Sequence, residues 1–502
     1  MAQTAPLTRM HKTDMHSIAR FYTEEIVIGL CGPVGVNLPE IAKKIKENLA
    51  SYNYAAKILK MSKIIEDIEH APAFQNGLDR KAWLIEAGNR IRTNAGRGSY
   101  LAEKAIGDIF IDRNNEFPDG EYKSRRHCFI IDSIKNQAEA KKFREVYGSS
   151  FYLIGAFSSH ERKITNLIQT DSTLKKRAAD IIDLDFNQKG DYGQQVGKVF
   201  QTADYFFRLE GDNQADVKVQ RLLKLILGAE LITPNGAEFA MFTAASASRN
   251  SACLSRQVGA AIAMQSGEII STGWNDVPKF GGGTYSFGGT DERCFNNGQF
   301  CRNDHEKKQI IEQIVAELEK KGAIDSAKSS LAKEALTESR VGDLIEFSRA
   351  VHAEMHAILN AGKVGFGDLS KTVLYCTTYP CHSCARHIVA SGISEVYFIE
   401  PYPKSQAERL HSDAITHDEG ASEKLKILAF EGVAPNRYLD FFSIKNDRKI
   451  NGNYNKEDKA FVKPQVDKMF EAVHTLEAAV AKGVIDDDGN DGGDGEKREK
   501  AA

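Results

Sequence analysis

Through the first half of the chain, continuous apolar runs closed by turns alternate with charged stretches whose apolar residues recur at helical spacing. The run Glu25-Ile-Val-Ile-Gly-Leu-Cys-Gly-Pro-Val-Gly35 reads as a buried strand ending in a glycine turn, and Glu40 to Leu49 as the helix that follows it. Cys128-Phe-Ile-Ile-Asp132 and Ser150-Phe-Tyr-Leu-Ile-Gly155 read as two further buried strands, separated by the helical stretch Ala138 to Tyr147. Buried strands joined through helices predict a parallel sheet with crossover connections, so residues 25–228 are expected to form one α/β domain.

A turn-rich joint, Leu231-Ile-Thr-Pro-Asn-Gly236, opens a second domain, expected over 234–445. Its predicted elements are helix Ala237 to Asn250, strands Val258 to Met264 and Glu268 to Trp274, helix Ala353 to Ala361, strand Thr372 to Thr378, helix Cys381 to Ser391 and strand Glu395 to Ile399. Residues 276–347, glycine-rich and then charged, read as an insertion. Residues 1–24 form an arm without sustained period. Residues 446–502 form a polar extension with one helical pattern, Pro464 to Ala481, and an acidic tail from Asp486 that buries too little apolar surface to fold.

Composition narrows the function classes. At 502 residues with 42% hydrophobic and 27% charged, the chain is far too long for a stapled peptide and ordinary for a folded protein of two or three domains. Its 66 Lys and Arg against 69 Asp and Glu leave a formal charge of −3, which offers no global cationic surface to long nucleic acid. The first twenty residues lack an apolar signal region, and no run approaches eighteen apolar residues, so a cytoplasmic location and no membrane partner are expected. In that compartment thiols stay reduced, and the eight Cys point to metal before disulfides.

The strongest chemical pattern is His352-Ala353-Glu354 followed, after a strand, by Pro380-Cys381-His382-Ser383-Cys384. Two Cys at i and i+3 on a helix's first turn point the same way, and a His at the start of a neighbouring helix completes three corners of a zinc tetrahedron. The fourth corner is left for water, whose pKa zinc lowers toward neutrality. Glu354, at another azimuth, is free to act as the proton carrier. A closed structural site would instead need a fourth ligand such as His356, His382 or His387. A second, structural zinc on Cys253, Cys294, Cys301 and His305 is a separate candidate, drawn from the Cys301-x3-His305 spacing.

This H-x-E…P-C-x-x-C arrangement resembles that of the zinc nucleobase deaminases. Over residues 237–430 the chain resembles deoxycytidylate deaminases, through Ser255-Arg-Gln-Val-Gly-Ala-Ala-Ile262, Gly273-Trp-Asn275, Glu346-Phe-Ser-Arg-Ala-Val-His-Ala-Glu354, Thr377-Thr-Tyr-Pro-Cys381 and Glu400-Pro-Tyr-Pro-Lys-Ser405. The resemblance implies a cytidine deaminase-like three-layer α/β/α fold. It makes His352, Cys381 and Cys384 the zinc ligands, Glu354 the catalytic acid/base, and Asn275 the reader of the deoxyribose hydroxyl. Arg256 and Lys404, with Arg349 and Lys279 behind them, are candidate phosphate contacts.

In the first domain, Gly29-Leu-Cys-Gly32-Pro-Val-Gly35-Val36-Asn37 sits where a phosphate-cradling loop belongs, but Val36 and Asn37 stand where a P-loop has Lys and Ser or Thr. With Asp132 ending a Walker B-like strand and Arg162-Lys163 in the place of a basic lid, residues 25–210 resemble a degenerate P-loop kinase domain. Gly32, Gly35, Asn37 and Asp132 are its candidate nucleotide contacts. Both a regulatory nucleotide sensor and a ligand-free scaffold fit. The whole arrangement resembles the bacterial anti-phage deoxycytidine nucleotide deaminases, which implies deamination of dCTP and dCMP, homo-oligomers, and in some members silencing by a small RNA. A tRNA or single-stranded DNA editor, and a nucleotide-sensing module with only structural zinc, are the competing readings.

Overall fold

The computed structural model describes residues 23–490 apart from 120–122, 169–170, 187, 189, 212–213, 403–404, 444–448, 456–457 and 465–469. The arm up to residue 22, Lys404 and the tail beyond 490 lie outside the described residues. The chain divides into two units, one made of residues 1–233 with 431–502 and the other of 234–430.

In the first unit, strands β1 (Ile26–Cys31), β2 (Ala55–Lys60), β3 (His127–Asp132), β4 (Phe151–Phe157) and β5 (Tyr205–Arg208) form a parallel sheet in the order β2-β3-β1-β4-β5. β1 and β3 are buried almost throughout because helices cover both faces, which is why they read as unbroken apolar runs. β2 escaped the sequence reading: its Ala-Ala-Lys-Ile-Leu-Lys sits at the sheet edge with alternate residues exposed. The helix Leu38–Ala50 follows β1 and turns Leu38, Ile41, Ala42, Ile45 and Leu49 inward at helical spacing.

Two expectations about the end of the chain are corrected. Residues 431–445, expected in the second domain, belong with the first unit: a short strand, Gly432–Val433, pairs antiparallel with Tyr205 and Phe206 of β5 and closes that sheet edge. The extension is not merely polar coil either. Val462 is fully buried in the first unit's core. The last helix is described over Phe470–Asn490, the start of the expected pattern at 465–469 lying outside the described residues, and it runs on into the acidic stretch expected to be unfolded. Its upstream turns bury Val473, Ala481 and Val484, and a helix anchored there propagates without needing apolar surface in its final turn.

That helix is also held by charge. Glu477 and Arg113, both 0% exposed, make a two-pronged pair at 2.9 and 3.0 Å, and Arg113 reaches Glu25 at 2.6 Å. Such a cluster adds little against a well-packed apolar substitute, but removing one partner strands a buried charge. Glu477→Ala is therefore expected to lower the first unit's stability by about 3–5 kcal/mol, read as an earlier denaturant midpoint with little change in the second unit.

The second unit is a six-stranded mixed sheet. β6 (Gly259–Met264), β7 (Ile269–Trp274), β8 (Thr372–Thr378), β9 (Glu395–Glu400), β10 (Ile415–Thr416) and β11 (Leu425–Ala429) lie in the order β10-β11-β9-β8-β6-β7. β6 runs antiparallel to β7 and β8, and the remainder are parallel. Ala260 stands opposite Gly273, so Gly259 and Gly273 face opposite sides of the sheet. A Cβ on Gly259 would lie 1.9 Å from Ala244 O in the helix Gly236–Ser248, and one on Gly273 would lie 2.3 Å from Ala353 O and Ala357 N in the helix Ala353–Lys363. Helices thus lie against both faces, which is the expected α/β/α layering. The insertion carries two helices, Arg302–Lys320 and Ser329–Glu338.

Candidate active site

His352 is the N-cap of the helix Ala353–Lys363, with extended backbone at ψ 156°, so its ring projects from the helix end while Glu354 occupies the first turn. β7 holds this helix by several side-chain ties. Ser271 Oγ donates to Ala357 O at 2.8 Å, Asn360 Nδ2 donates to Thr272 O at 2.9 Å, and His356 Nδ1 lies 3.1 Å from Trp274 O with its ring edge-on to the indole. On the other side of the cluster, Cys381 is the N-cap of the helix His382–Ser391, and its Sγ accepts from Cys384 N at 3.4 Å.

These two helix starts meet. His352 Nδ1 is 3.3 Å from both Cys381 Sγ and Cys384 Sγ, and the three ligand atoms all lie within 4.8 Å of one another. A zinc with ordinary bond lengths to one imidazole and two thiolates has nitrogen–sulfur edges of roughly 3.5 Å, so the donor set fits the ion. Glu354, 4% exposed, places Oε2 3.4 Å from Cys384 Sγ, beside the cluster. Of the alternative fourth ligands, His356 is engaged by Trp274, His382 by Glu346 at 3.4 Å, and His387 by Ser383 O at 2.7 Å. The site keeps three protein ligands.

The hydrogen bond from Cys384 and the neighbouring His352 draw the Cys381 thiol down to about 4, and the same contact pushes Cys384 up. Hydrogen bonding to Cys381 raises the His352 imidazole to about 9. Burial pushes the Glu354 carboxyl above its usual range.

A family profile described as "Cytidine and deoxycytidylate deaminase zinc-binding region" matches residues 235–400. The deoxycytidylate deaminase of Enterobacteria phage T4 is 32% identical over 161 residues, which make up 32% of this chain and 75% of that enzyme. The chain belongs to the cytidine and deoxycytidylate deaminase family. The deoxycytidylate deaminase of Saccharomyces cerevisiae is 26% identical over 174 residues, covering 35% of this chain and only 40% of that relative. Among solved structures, dCMP deaminase from cyanophage S-TIM5 in complex with dCMP and dUMP covers 40% of this chain and 99% of its own, at 18% identity and a TM-score of 0.23. The Mycobacterium tuberculosis APS kinase in complex with AMPPNP and APS covers 40% of this chain at 15% identity and a TM-score of 0.23.

The remaining candidates fall at varied distances from the deaminase centre. Asn275 follows β7, and its amide is used by the loop before β6: Oδ1 accepts from Val258 N at 2.7 Å and Nδ2 donates to Arg256 O at 2.9 Å. Arg256 is exposed, paired with Glu400 at 3.1 Å and set over the Tyr402 ring. Arg349 donates to Glu292 O at 3.1 Å. Cys253, Cys294 and Cys301 line one small cavity, but His305 turns to Gln309 at 2.9 Å and to the Phe300 ring. Among the described residues only His352, Cys381 and Cys384 bring metal-binding atoms together, so the four-residue second zinc set is not assembled.

Sequence reasoning passed over Cys376, whose fully buried thiol on β8 is pushed well above its ordinary range by burial, with the Glu354 carboxylate adding to the shift. Inside an apolar strand a Cys reads as packing, and only the helix brought opposite it gives it a polar neighbour. It also passed over Gly273 as a spacer. Gly273→Ala would push a methyl into the backbone of the helix that carries His352 and Glu354. It is expected to lower the second unit's stability by about 1–3 kcal/mol and to reduce zinc bound per chain, measured by thermal unfolding and metal analysis.

Proposed function

We propose that this chain hydrolyses the exocyclic amine of deoxycytidine nucleotides, converting dCMP to dUMP and dCTP to dUTP with release of ammonia. The observation that carries this reading is the buried Glu354 beside three zinc-type ligands at two helix starts, in a unit akin to phage deoxycytidylate deaminases. Zinc held by His352, Cys381 and Cys384 would supply a Lewis acid that makes water nucleophilic near neutral pH. Glu354 takes a proton from the attacking water and passes it to N3 of the ring, then takes the second proton from the new hydroxyl at C4 and gives it to the departing amine, which leaves as ammonia. The peptide N–H groups at the two helix starts add positive potential where the ring gathers negative charge.

Asn275 and the cations around it form the nucleotide end of the reading. Arg256 is exposed and its partner Glu400 lies at the surface edge, so a substrate phosphate can compete for it; Arg349 and Lys404 are further phosphate contacts in this proposal. A small −3 formal charge favours free nucleotides over a strand. By resemblance, the biological role is depletion of the deoxycytidine nucleotide pool during phage infection, with the first unit acting as a nucleotide sensor, assembly into homo-oligomers, and a small RNA as inhibitor in some relatives.

Purified protein given dCMP, dCTP, CTP and a cytosine-bearing oligonucleotide decides among the readings. Ammonia release from dCMP or dCTP is expected, and turnover of the oligonucleotide alone would establish an editor instead. Glu354→Gln is expected to lower kcat at least a hundredfold while zinc content stays at one per chain. Loss of metal in that variant would remove Glu354 from the role given to it. Phage plating on cells carrying wild type or Glu354→Gln tests the defence role.

A further inference from the structure

In the first unit, the strand order places β1 beside β4 while the chain leaves them toward opposite sides of the sheet, β1 toward β2 and β4 toward β5. That is a topological switch point, and in open α/β sheets the crevice at the carboxyl ends of such strands is where ligands bind. The loop Gly32–Asn37 leaves β1 there, ahead of the helix Leu38–Ala50. Yet a group of the chain's own stands in it. Asp185, 0% exposed on the helix Lys175–Phe186, accepts from Val34 N at 2.7 Å and from Lys135 Nζ at 2.9 Å, while Lys135 also donates to Gly32 O at 2.8 Å. A carboxylate thus takes the peptide N–H that a phosphate oxygen would take in a phosphate-binding loop.

The arrangement is incompletely satisfied. Among the described residues, Asp185 Oδ1 is buried without a hydrogen-bond partner. Lys163, 7% exposed on the helix His160–Ile168 that follows β4, holds Nζ 5.7 Å above the Phe157 ring and has no ion pair within 4 Å among the described residues. Lys81, on the helix Gly77–Asn94, is likewise without one, and burial lowers the pKa of both ammonium groups. Burial of a cation with no anion directly against it is costly, and the carboxylates that act on these lysines at longer range, Asp132, Asp183, Asp185 and Glu210, make no ion pair with Lys81 or Lys163 within 4 Å among the described residues. The helices bearing Lys81, Lys163 and Asp185 meet through a small apolar cluster of their own, around Leu78, Ile85, Ala178 and Ile181, set apart from the main core. Asn166 latches them to the loop by donating to Gly35 O at 2.9 Å.

We propose that the loop Gly32–Asn37 is a binding site for the phosphate group of a nucleotide, held shut by Asp185, and that Lys81, Lys135 and Lys163 take the phosphate when it displaces that carboxylate. The lysines of this site come from three separate elements, in place of the single loop lysine that Val36 replaces. The inference rests on the reading of the first unit as a nucleotide sensor and adds which groups read the anion and what it must displace.

The test is equilibrium dialysis of the full chain with ATP and, separately, with pyrophosphate; cytosine nucleotides are avoided because the deaminase unit would take them. Saturable binding of ATP is expected, weakened about tenfold by Lys81→Met and strengthened about tenfold by Asp185→Asn, which keeps the hydrogen-bond acceptor and removes the competing charge. Pyrophosphate binding equal to that of ATP assigns recognition to the oxyanion alone; binding of ATP only adds a nucleoside contact; both uphold the site. Failure of wild type and Asp185→Asn to bind either probe at millimolar concentration overturns it, as does binding indifferent to both substitutions. Lys81 makes no hydrogen bond among the described residues, so Lys81→Met stays informative if Asp185→Asn unfolds. Because the readout is binding, the deaminase reading stands apart from it, and ATP binding without any change in deamination rate would keep the site and overturn only the gating role.

Discussion

The chemistry of the second unit hangs on a seam where two backbones touch. β7 and the helix capped by His352 approach so closely at Gly273 that no side chain fits between them. The ties from Ser271, Thr272 and Trp274 then fix the helix in height and rotation. A catalytic cluster assembled from two helix starts tolerates little relative movement, because a shift of an ångström at either start would part the nitrogen from the sulfurs. Rigidity here comes from main-chain contact, which has no rotamers to relax.

The contrast between the two units lies in how their polar groups are used. At the zinc cluster the thiols of Cys381 and Cys384 converge with the His352 imidazole, and the Glu354 carboxylate lies against Cys384. In the first unit many of the buried charges are paired with each other, as in Arg113 with Glu25 and Glu477, or Lys135 with Asp185. Self-paired charge is what a scaffold or a closed switch looks like; converging, under-coordinated charge is what a reactive centre looks like.

How far the sequence could be read followed from range. The zinc cluster was legible because its spacings are local: two Cys one turn apart and a His two residues before a Glu define geometry within single helix starts. The buried strands β1, β3, β4, β6 and β8 were legible from their apolar runs, and the α/β class with them. β2 was not, since an edge strand of Ala and Lys carries no strong period. The four-residue second zinc set was not a sound reading, because it relied on loop closure through the insertion, and the fold turned His305 elsewhere. Asp185 in the Gly32–Asn37 loop could not have been foreseen, because its partner Val34 is 151 positions away and neither residue is unusual in its own neighbourhood. The same distance hid the return of the chain at Gly432.

That return makes the deaminase unit an inserted domain, and insertion imposes an order on biogenesis. All of residues 234–430 leave the ribosome before Gly432, Val462 and Glu477, which the first unit needs to close its sheet edge, fill its core and neutralise Arg113. At about 5–20 residues per second, the catalytic unit has several seconds of existence before the surrounding unit can be completed. A nascent chain therefore holds a complete second unit while the first is still unfinished. Control exerted during that interval has to act on the message or on the emerging catalytic unit itself.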